Sequence, residues 1–179
     1  MKEQQKKYEL TGEFIEHWSG KKLYRIKALV SFGVVVAGQL GGFVESEKNL
    51  DQSLSGDAWV YGDAWVYGDA RVSGDARVYG DARVYGDARV YGNAWVRSYA
   101  AISDRKMIFW ASNVGSENGT LTVFNGKDEL IVTRGCFTGT VDEFLAKSAE
   151  VHDNKTKNEY KLLIEVAKSR ILGVKDERN

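Results

Sequence analysis

A mainly β fold is predicted: a three-coil parallel β-helix with a small N-terminal β cap and a C-terminal α+β unit. Three observations predict it. Seven consecutive hexapeptides fill residues 56–97 (GDAWVY, GDAWVY, GDARVS, GDARVY, GDARVY, GDARVY, GNAWVR), each with Ala in third place and Val in fifth. A strict period of six gives one short strand and one corner per unit, the pattern of a solenoid. The repeat fades weakly into the flanking sequence on both sides, and proline is absent throughout, so turns rest on Gly, Asn, Asp and Ser.

Residues 1–49 are expected to form the cap. EFIEHW and KKLYRIKALV flank Ser19-Gly20, read as a two-residue hairpin turn, and GQLGGFVES leads into the coils. A solenoid has open ends with unpaired strand edges, so a cap is physically required.

Residues 50–103 are expected to form nine hexads, three per triangular coil of 18 residues, with Leu54 and Ile102 extending the Val frame at either end. Within a unit, Ala and Val lie two apart and point inward, while their neighbours point outward. The Gly-Asp pair makes the corner: Gly accepts positive φ, and the Asp carboxylate is expected to bond nearby backbone N–H groups. Stacking residues 18 apart assigns the outward columns. The first face carries Trp59–Arg77–Trp95 beside Tyr61–Tyr79–Arg97, and the second Trp65–Arg83–Ala101 beside Tyr67–Tyr85–Ser103. The third carries Ser53–Arg71–Arg89 beside Ser55–Ser73–Tyr91. Arg between aromatic rings suits cation–π stacking. So much aromatic surface exceeds what a soluble monomer exposes, so the first two faces are expected to be buried against other subunits or the chain's own segments. Trp59, Tyr61, Trp65, Tyr67, Arg77, Tyr79, Arg83, Tyr85 and Trp95 are the candidate interface residues of a homo-oligomer, with a trimer first among the expected states. The rival is a base-stacking platform for single-stranded nucleic acid. Lys+Arg and Asp+Glu balance at 25 each, which supplies no basic field for a long polyanion or a membrane surface.

Residues 104–179 lack the repeat. KMIFW, TLTVF and ELIVTR read as strands, the last two joined at Asn125-Gly126-Lys127-Asp128. Thr140 and Glu143 form a capping box that opens a helix through Val151, with Phe144, Leu145, Ser148, Ala149 and His152 on one face. A second helix is expected over Thr156–Leu172, capped by Thr156 and Glu159. Its stripe is Tyr160, Leu163, Ile164, Ala167 and Ile171, with Gly173 at C′. The unit therefore reads as a β-hairpin plus two helices.

The opening MKEQQKKYEL has no apolar core of a signal peptide, no stretch approaches 18 apolar residues, and Cys136 is the single cysteine. A cytoplasmic location is expected on these grounds.

Two stretches carry a family resemblance. Residues 23–46 (LYRIKALVSFGVVVAGQLGGFVES) followed by GDA-x-V repeats resemble the YdcK-like hexapeptide-repeat proteins, where a Gly-Gly-aromatic motif likewise precedes the coils. That likeness implies a left-handed β-helix. The tail carries Gly115-Ser116-Glu117-Asn118, Thr120, Thr122, Gly135-Cys136-Phe137, Gly139-Thr140, Glu143-Phe144, His152 and Glu159-Tyr160. It resembles a C-terminal domain of phage and prophage proteins, although Glu117 stands where relatives tend to carry Arg. Some small oligomeric phage proteins sequester nucleotide signals of bacterial antiviral defence, and the resemblance implies such a role.

Hexapeptide acyltransferases use a His between subunits, yet His17 and His152 both lie outside the coils. Cys136 with His152 sixteen residues on suggests a thiol nucleophile and base, but no third, orienting group accompanies them, so no catalytic residue is assigned. The Asp57, Asp63, Asp69, Asp75, Asp81 and Asp87 row supplies one carboxylate per corner, too sparse for calcium. No metal or cofactor is expected, nor is a Walker loop or dinucleotide fingerprint present. The remaining expectation is a pocket for a small anionic ligand, built at a subunit interface from the 112–120 loop and the Gly135–Thr140 turn. Its candidates are Asn113, Ser116, Asn118, Thr120, Arg134 and Thr138, with Trp110 or Phe137 stacking on a base. A non-enzymatic binder is favoured over a structural assembly protein, and both over a divergent acyltransferase.

Overall fold

The hexads do stack at a spacing of 18. A computed structural model describes residues 4–173. Each hexad supplies a two-residue strand: β4 (Trp59–Val60), β5 (Trp65–Val66), β6 (Arg71–Val72), β7 (Arg77–Val78), β8 (Arg83–Val84), β9 (Arg89–Val90), β10 (Trp95–Val96) and β11 (Ala101–Ile102). Parallel pairing runs β4–β7–β10 on the first face, β5–β8–β11 on the second and β6–β9 on the third. The inward Ala and Val of every hexad have essentially no exposure, and Ile102 closes the last coil as expected. Corner glycines Gly62 to Gly92 all hold φ between 58 and 68°, the region that a Cβ disfavours.

The corner aspartates do less than expected. Of the six, only Asp75 accepts a backbone bond, from Asp57 N–H at 3.0 Å. The corners are instead tied by arginine: Arg83 Nη1 donates to the carbonyls of Asp63 (3.1 Å) and Asp81 (2.9 Å), and Arg89 Nη1 to those of Asp69 and Asp87. Each of these guanidiniums reaches carbonyls on two adjacent rungs.

The Val frame at the N-terminal end is also corrected. Leu50, not Leu54, bridges Val72 and is buried, while Leu54 is exposed. A 3₁₀ turn at Glu47–Asn49, closed by a Ser46–Asn49 capping box, sets that register, and the chain then loops to Gly56. Asn49 Nδ2 donates to the carbonyls of Gly68 and Ala70, fixing the turn onto the coil.

The cap is an antiparallel hairpin, β1 (Tyr8–Glu16) and β2 (Lys22–Ala28), followed by β3 (Leu40–Val44). Its loop has three residues rather than two: His17 N–H donates to Lys21 O across Trp18–Gly20, with Gly20 at φ 83°. β3 then pairs in parallel with β5, so the cap adds a rung to the second face. Gly41 and Gly42 permit that approach, since a Cβ on them would lie 2.6 Å from Val60 O and 2.5 Å from Ala64 O. The Gly-Gly-aromatic motif is thus a seam between cap and coil.

The aromatic columns meet the chain's own segments. Trp59 has no exposure: Tyr8 (6.0 Å) and Phe32 (5.4 Å) cover it edge-on. It cannot be an oligomer contact, contrary to expectation, because the cap already occupies its face. His17 packs on Trp65 (6.0 Å) and Tyr67 (4.9 Å). Tyr61–Tyr79 and Tyr67–Tyr85 are stacked pairs with interplanar angles of 6°. Arg83 lies 3.9 Å from the Trp65 centroid and Arg77 5.2 Å from Trp95.

The C-terminal unit is a four-stranded antiparallel sheet with two helices: β12 (Ile108–Val114), β13 (Gly119–Asn125), β14 (Leu130–Arg134), β15 (Phe137–Thr140), α1 (Val141–Val151) and α2 (Asn154–Leu172). β15 forms where the sequence predicts only a turn at Gly135–Thr140. The Thr140–Glu143 capping box of α1 forms as expected, but Asp153, not Thr156, caps α2. Asp153 accepts from Thr156 N–H at 2.8 Å, a bond that holds its carboxyl below the usual range. The expected α2 stripe packs inward, with Tyr160, Ile164 and Ala167 fully buried, whereas Ala149 of α1 faces outward. The sheet closes the other end of the solenoid. Asn125 Nδ2 donates to Ala101 O, Ala100 bridges Gly126, and Trp95 is gripped by Thr122 and Thr133. Among the described residues, no helix is long and apolar enough to cross a membrane.

Burial fixes an alkaline limit to this fold. Desolvation raises the phenols of Tyr8, Tyr61 and Tyr67 above the ordinary 10.0 and lowers the Lys7 amine below 10.5. As pH rises from the depressed Lys7 value to 10.5, the unfolded chain binds the extra lysine proton, so stability rises. Above pH 10 the unfolded tyrosines ionise while the folded ones do not, so stability falls, three groups against one. Thermal melts across pH 8–11.5 are expected to pass through a maximum near pH 10. A melting temperature that climbs monotonically through this range would contradict the assignment.

Candidate ligand-binding cleft

The C-terminal sheet meets the first solenoid face along Trp95. Trp95 N–H donates to Thr122 Oγ1 (3.1 Å), and Thr133 Oγ1 donates to Trp95 O (2.7 Å). Beside this seam lies a cleft of about 330 Å³ lined by Asp75, Arg77, Asn93, Trp95, Gly119, Thr120, Thr133, Arg134 and Gly135. The coils supply one guanidinium, one indole, one amide and one carboxylate. The sheet supplies hydroxyls and a second guanidinium.

Arg134 is the best-held of these. Its Nε donates to Tyr160 Oη at 2.9 Å, its side chain is only 12% exposed, and Glu117 approaches one Nη at 3.9 Å. Gly119 leaves room for it, since a Cβ there would lie 2.7 Å from the guanidinium. Arg77 has no ion-pair partner among the described residues and rests near Trp95. The two sites of positive charge thus face a planar indole, with Thr120 available as a neutral partner. Arg97 lies over the same indole at 4.4 Å, so the cleft offers guanidinium donors beside a ring already in cation–π contact, a donor set of the kind that suits a small anion through charge-assisted hydrogen bonds.

Thr120 and Arg134 are the two sequence candidates that the fold brings into this cleft. Arg77 and Trp95 join them from the stacking columns, where they had been read as interface residues. Ser116 and Phe137 line an adjoining recess of about 210 Å³ that shares Arg134 and Gly135 with the first cleft and also takes in Cys136, Lys147 and His152, so it gathers three of the sequence candidates from the two predicted segments. The Phe137 ring is half-buried and packs edge-on against Phe144 at 5.4 Å, at the margin of the C-terminal core. Thr138 accepts from Arg97 at 3.4 Å. Trp110 sits across the fold, edge-to-face with Tyr91 at 4.6 Å.

The 112–120 segment is no phosphate-cradling loop. It is the tight β12–β13 hairpin, with Asn113, Gly115 and Asn118 at positive φ. The Gly115 N–H that would meet an anion already donates to the Glu159 carboxylate, and Asn118 N–H donates to Gly115 O. The N-terminus of α1 is likewise closed by its own capping box. Part of each predicted donor set is thus engaged within the fold.

His17 is buried and hydrogen-bonded to Ser19 Oγ (2.7 Å); His152 pairs with Ser148 Oγ (3.1 Å). Cys136 is exposed and unpaired. Among the described residues no cluster of three or more His, Cys, Asp or Glu is placed to hold a metal ion.

The fold and the cleft define a β-solenoid protein capped at both ends by its own chain. Within it, the family model described as the YdcK β-solenoid repeat matches residues 64–80, 70–84 and 82–98. The chain therefore carries YdcK-type solenoid repeats. A comparison with curated proteins found no match.

Proposed function

We propose that this protein is a non-enzymatic binder of a small anionic ligand with an aromatic ring, with nucleotides as the ligand class. The observation that carries the reading is the convergence of Arg77 and Arg134 on the Trp95 cleft. The solenoid acts as a rigid frame and the C-terminal sheet as the second wall. Asp75 in the same cleft disfavours heavily charged anions, so a phosphodiester or monophosphate fits better than a triphosphate. Sequestration of a nucleotide signal is the role this binding would serve, and self-association into a homo-oligomer would multiply the sites.

Native mass spectrometry of the protein, alone and mixed with a panel of cyclic and linear nucleotides, tests the proposal. Intact nucleotide at fixed stoichiometry is the expected result. Arg77→Ala should weaken binding by roughly tenfold, the loss of one charge-assisted bond of about 1.5 kcal/mol or more. Unchanged binding in Arg77→Ala, or an empty protein across the panel, would shift the reading to a structural assembly module.

A further inference from the structure

A second concentration of positive charge lies away from the Trp95 cleft. Arg89 of β9, Arg105 of the 3₁₀ turn Arg105–Met107 and Arg170 in the last turn of α2 line one cleft of about 410 Å³ with Tyr91, Ile108, Phe109 and Trp110. No carboxylate lines it. Two of the guanidiniums are held close together, because Arg89 Nη1 (3.3 Å) and Arg105 Nε (3.5 Å) both reach the carbonyl oxygen of Asp87. A neutral carbonyl dipole steadies the pair without neutralising it. None of the three arginines has an ion-pair partner among the described residues. In a chain whose formal charge is zero, three like charges brought together from three elements repel one another unless an anion joins them.

The aromatic wall is equally placed. Tyr91 is 54% exposed, and Trp110 stands at 89° to it, 4.6 Å between centroids. Gly92 lets Trp110 sit down on the coil, since a Cβ there would lie 3.0 Å from Nε1. The indole is therefore fixed, and the exposed phenol ring beside it is available for stacking.

We infer that this cleft is a second ligand site, for a diphosphate group carried on a flat ring, the chemistry of a nucleoside diphosphate. Three guanidiniums without a carboxylate suit a multiply charged pyrophosphate, which Asp75 makes unwelcome in the first cleft. Tyr91 stacks on the ring while Arg89, Arg105 and Arg170 hold the phosphates. The site is distinct from the first and does not depend on it.

The test uses ADP and inorganic pyrophosphate as probes and the five tryptophan indole N–H resonances of the full chain as reporters, assigned by single Trp→Phe variants. The Trp110 resonance is expected to shift on titration with either probe, saturably and less at high salt. In an Arg105→Ser/Arg170→Ser variant that melts like the parent, the apparent affinity should fall at least tenfold, whereas Lys127→Ser, at the exposed turn between β13 and β14, should leave it unchanged. A silent Trp110 up to millimolar probe, a shift confined to Trp95, or a Trp110 shift that survives the double substitution would each overturn the inference.

Discussion

Val78→Asp is expected to abolish the native fold. Val78 sits in the middle coil, has no exposure, and is in register with Val60 above and Val96 below. The inward positions around it are all Ala or Val, so no donor or counter-ion is available to a carboxylate. Burying the acid, even protonated, leaves polar oxygens without partners in a narrow apolar core. The loss is on the order of 4 kcal/mol or more, a large part of the roughly 5–15 kcal/mol that stabilises a natural domain. Circular dichroism should show no cooperative β melt. Arg71→Ala, at an outward position with only a 3.7 Å surface pair to Asp51, should shift stability by less than about 1 kcal/mol. A Val78→Asp protein that still melts cooperatively as a β-rich fold would refute the inward register of the whole solenoid.

That register was legible because the period of six fixes every side chain at once: naming Val as inward places Ala, Arg and Tyr without further choice. The misreadings share another cause. Leu54 was placed by extending the frame backward without interruption, but the Ser46-capped turn inserts its own geometry and brings Leu50 to the coil instead. β15 (FTGT) has no alternating apolar pattern, and it becomes a strand because β14 offers an open edge. Thr156 and Glu159 have the spacing of a capping box, yet Asp153 takes the cap and Glu159 is drawn to Gly115, 44 residues earlier. Local signals cannot reveal such a competitor.

The candidate cleft divides in the same way. Arg134 and Thr120 could be named from the sequence because an Arg directly precedes the Gly135–Thr140 turn and small polar residues fill the 112–120 segment. Arg77 and Trp95 were placed on the correct columns but given the wrong neighbours. What they face is decided by the C-terminal sheet docking through the Thr122 and Thr133 hydroxyls, a tertiary event with no motif of its own. Of the two covers open to the aromatic columns, other subunits or the chain's own segments, the structure shows the second at the hairpin, the 29–40 loop and the C-terminal sheet, because a short solenoid needs its ends and faces covered.

Gly115→Ala is expected to be the most damaging single methyl in the C-terminal unit. Gly115 holds φ 74°, and a Cβ on it would stand 2.0 Å from Tyr160 Oη and 2.7 Å from Cζ. Tyr160 cannot step aside: it is 1% exposed, wedged between Phe144 (5.1 Å) and His152 (5.3 Å), and its hydroxyl accepts from Arg134. The hairpin must therefore lift, which breaks the Gly115–Glu159 bond and frees Arg134 from its anchor. Overpacking and left-handed backbone strain together cost roughly 2–5 kcal/mol. Gly135→Ala provides the comparison, because Gly135 also holds positive φ (56°) but has nothing within 4 Å of its would-be Cβ. That change should cost only the backbone term, about 1–2 kcal/mol. Paired thermal melts separate the two contributions, and nucleotide titration of Gly115→Ala should show weakened binding through the displaced Arg134. If both alanine variants melt together, the steric coupling of the hairpin to Tyr160 is wrong, and Arg134 is held by something other than that hydroxyl.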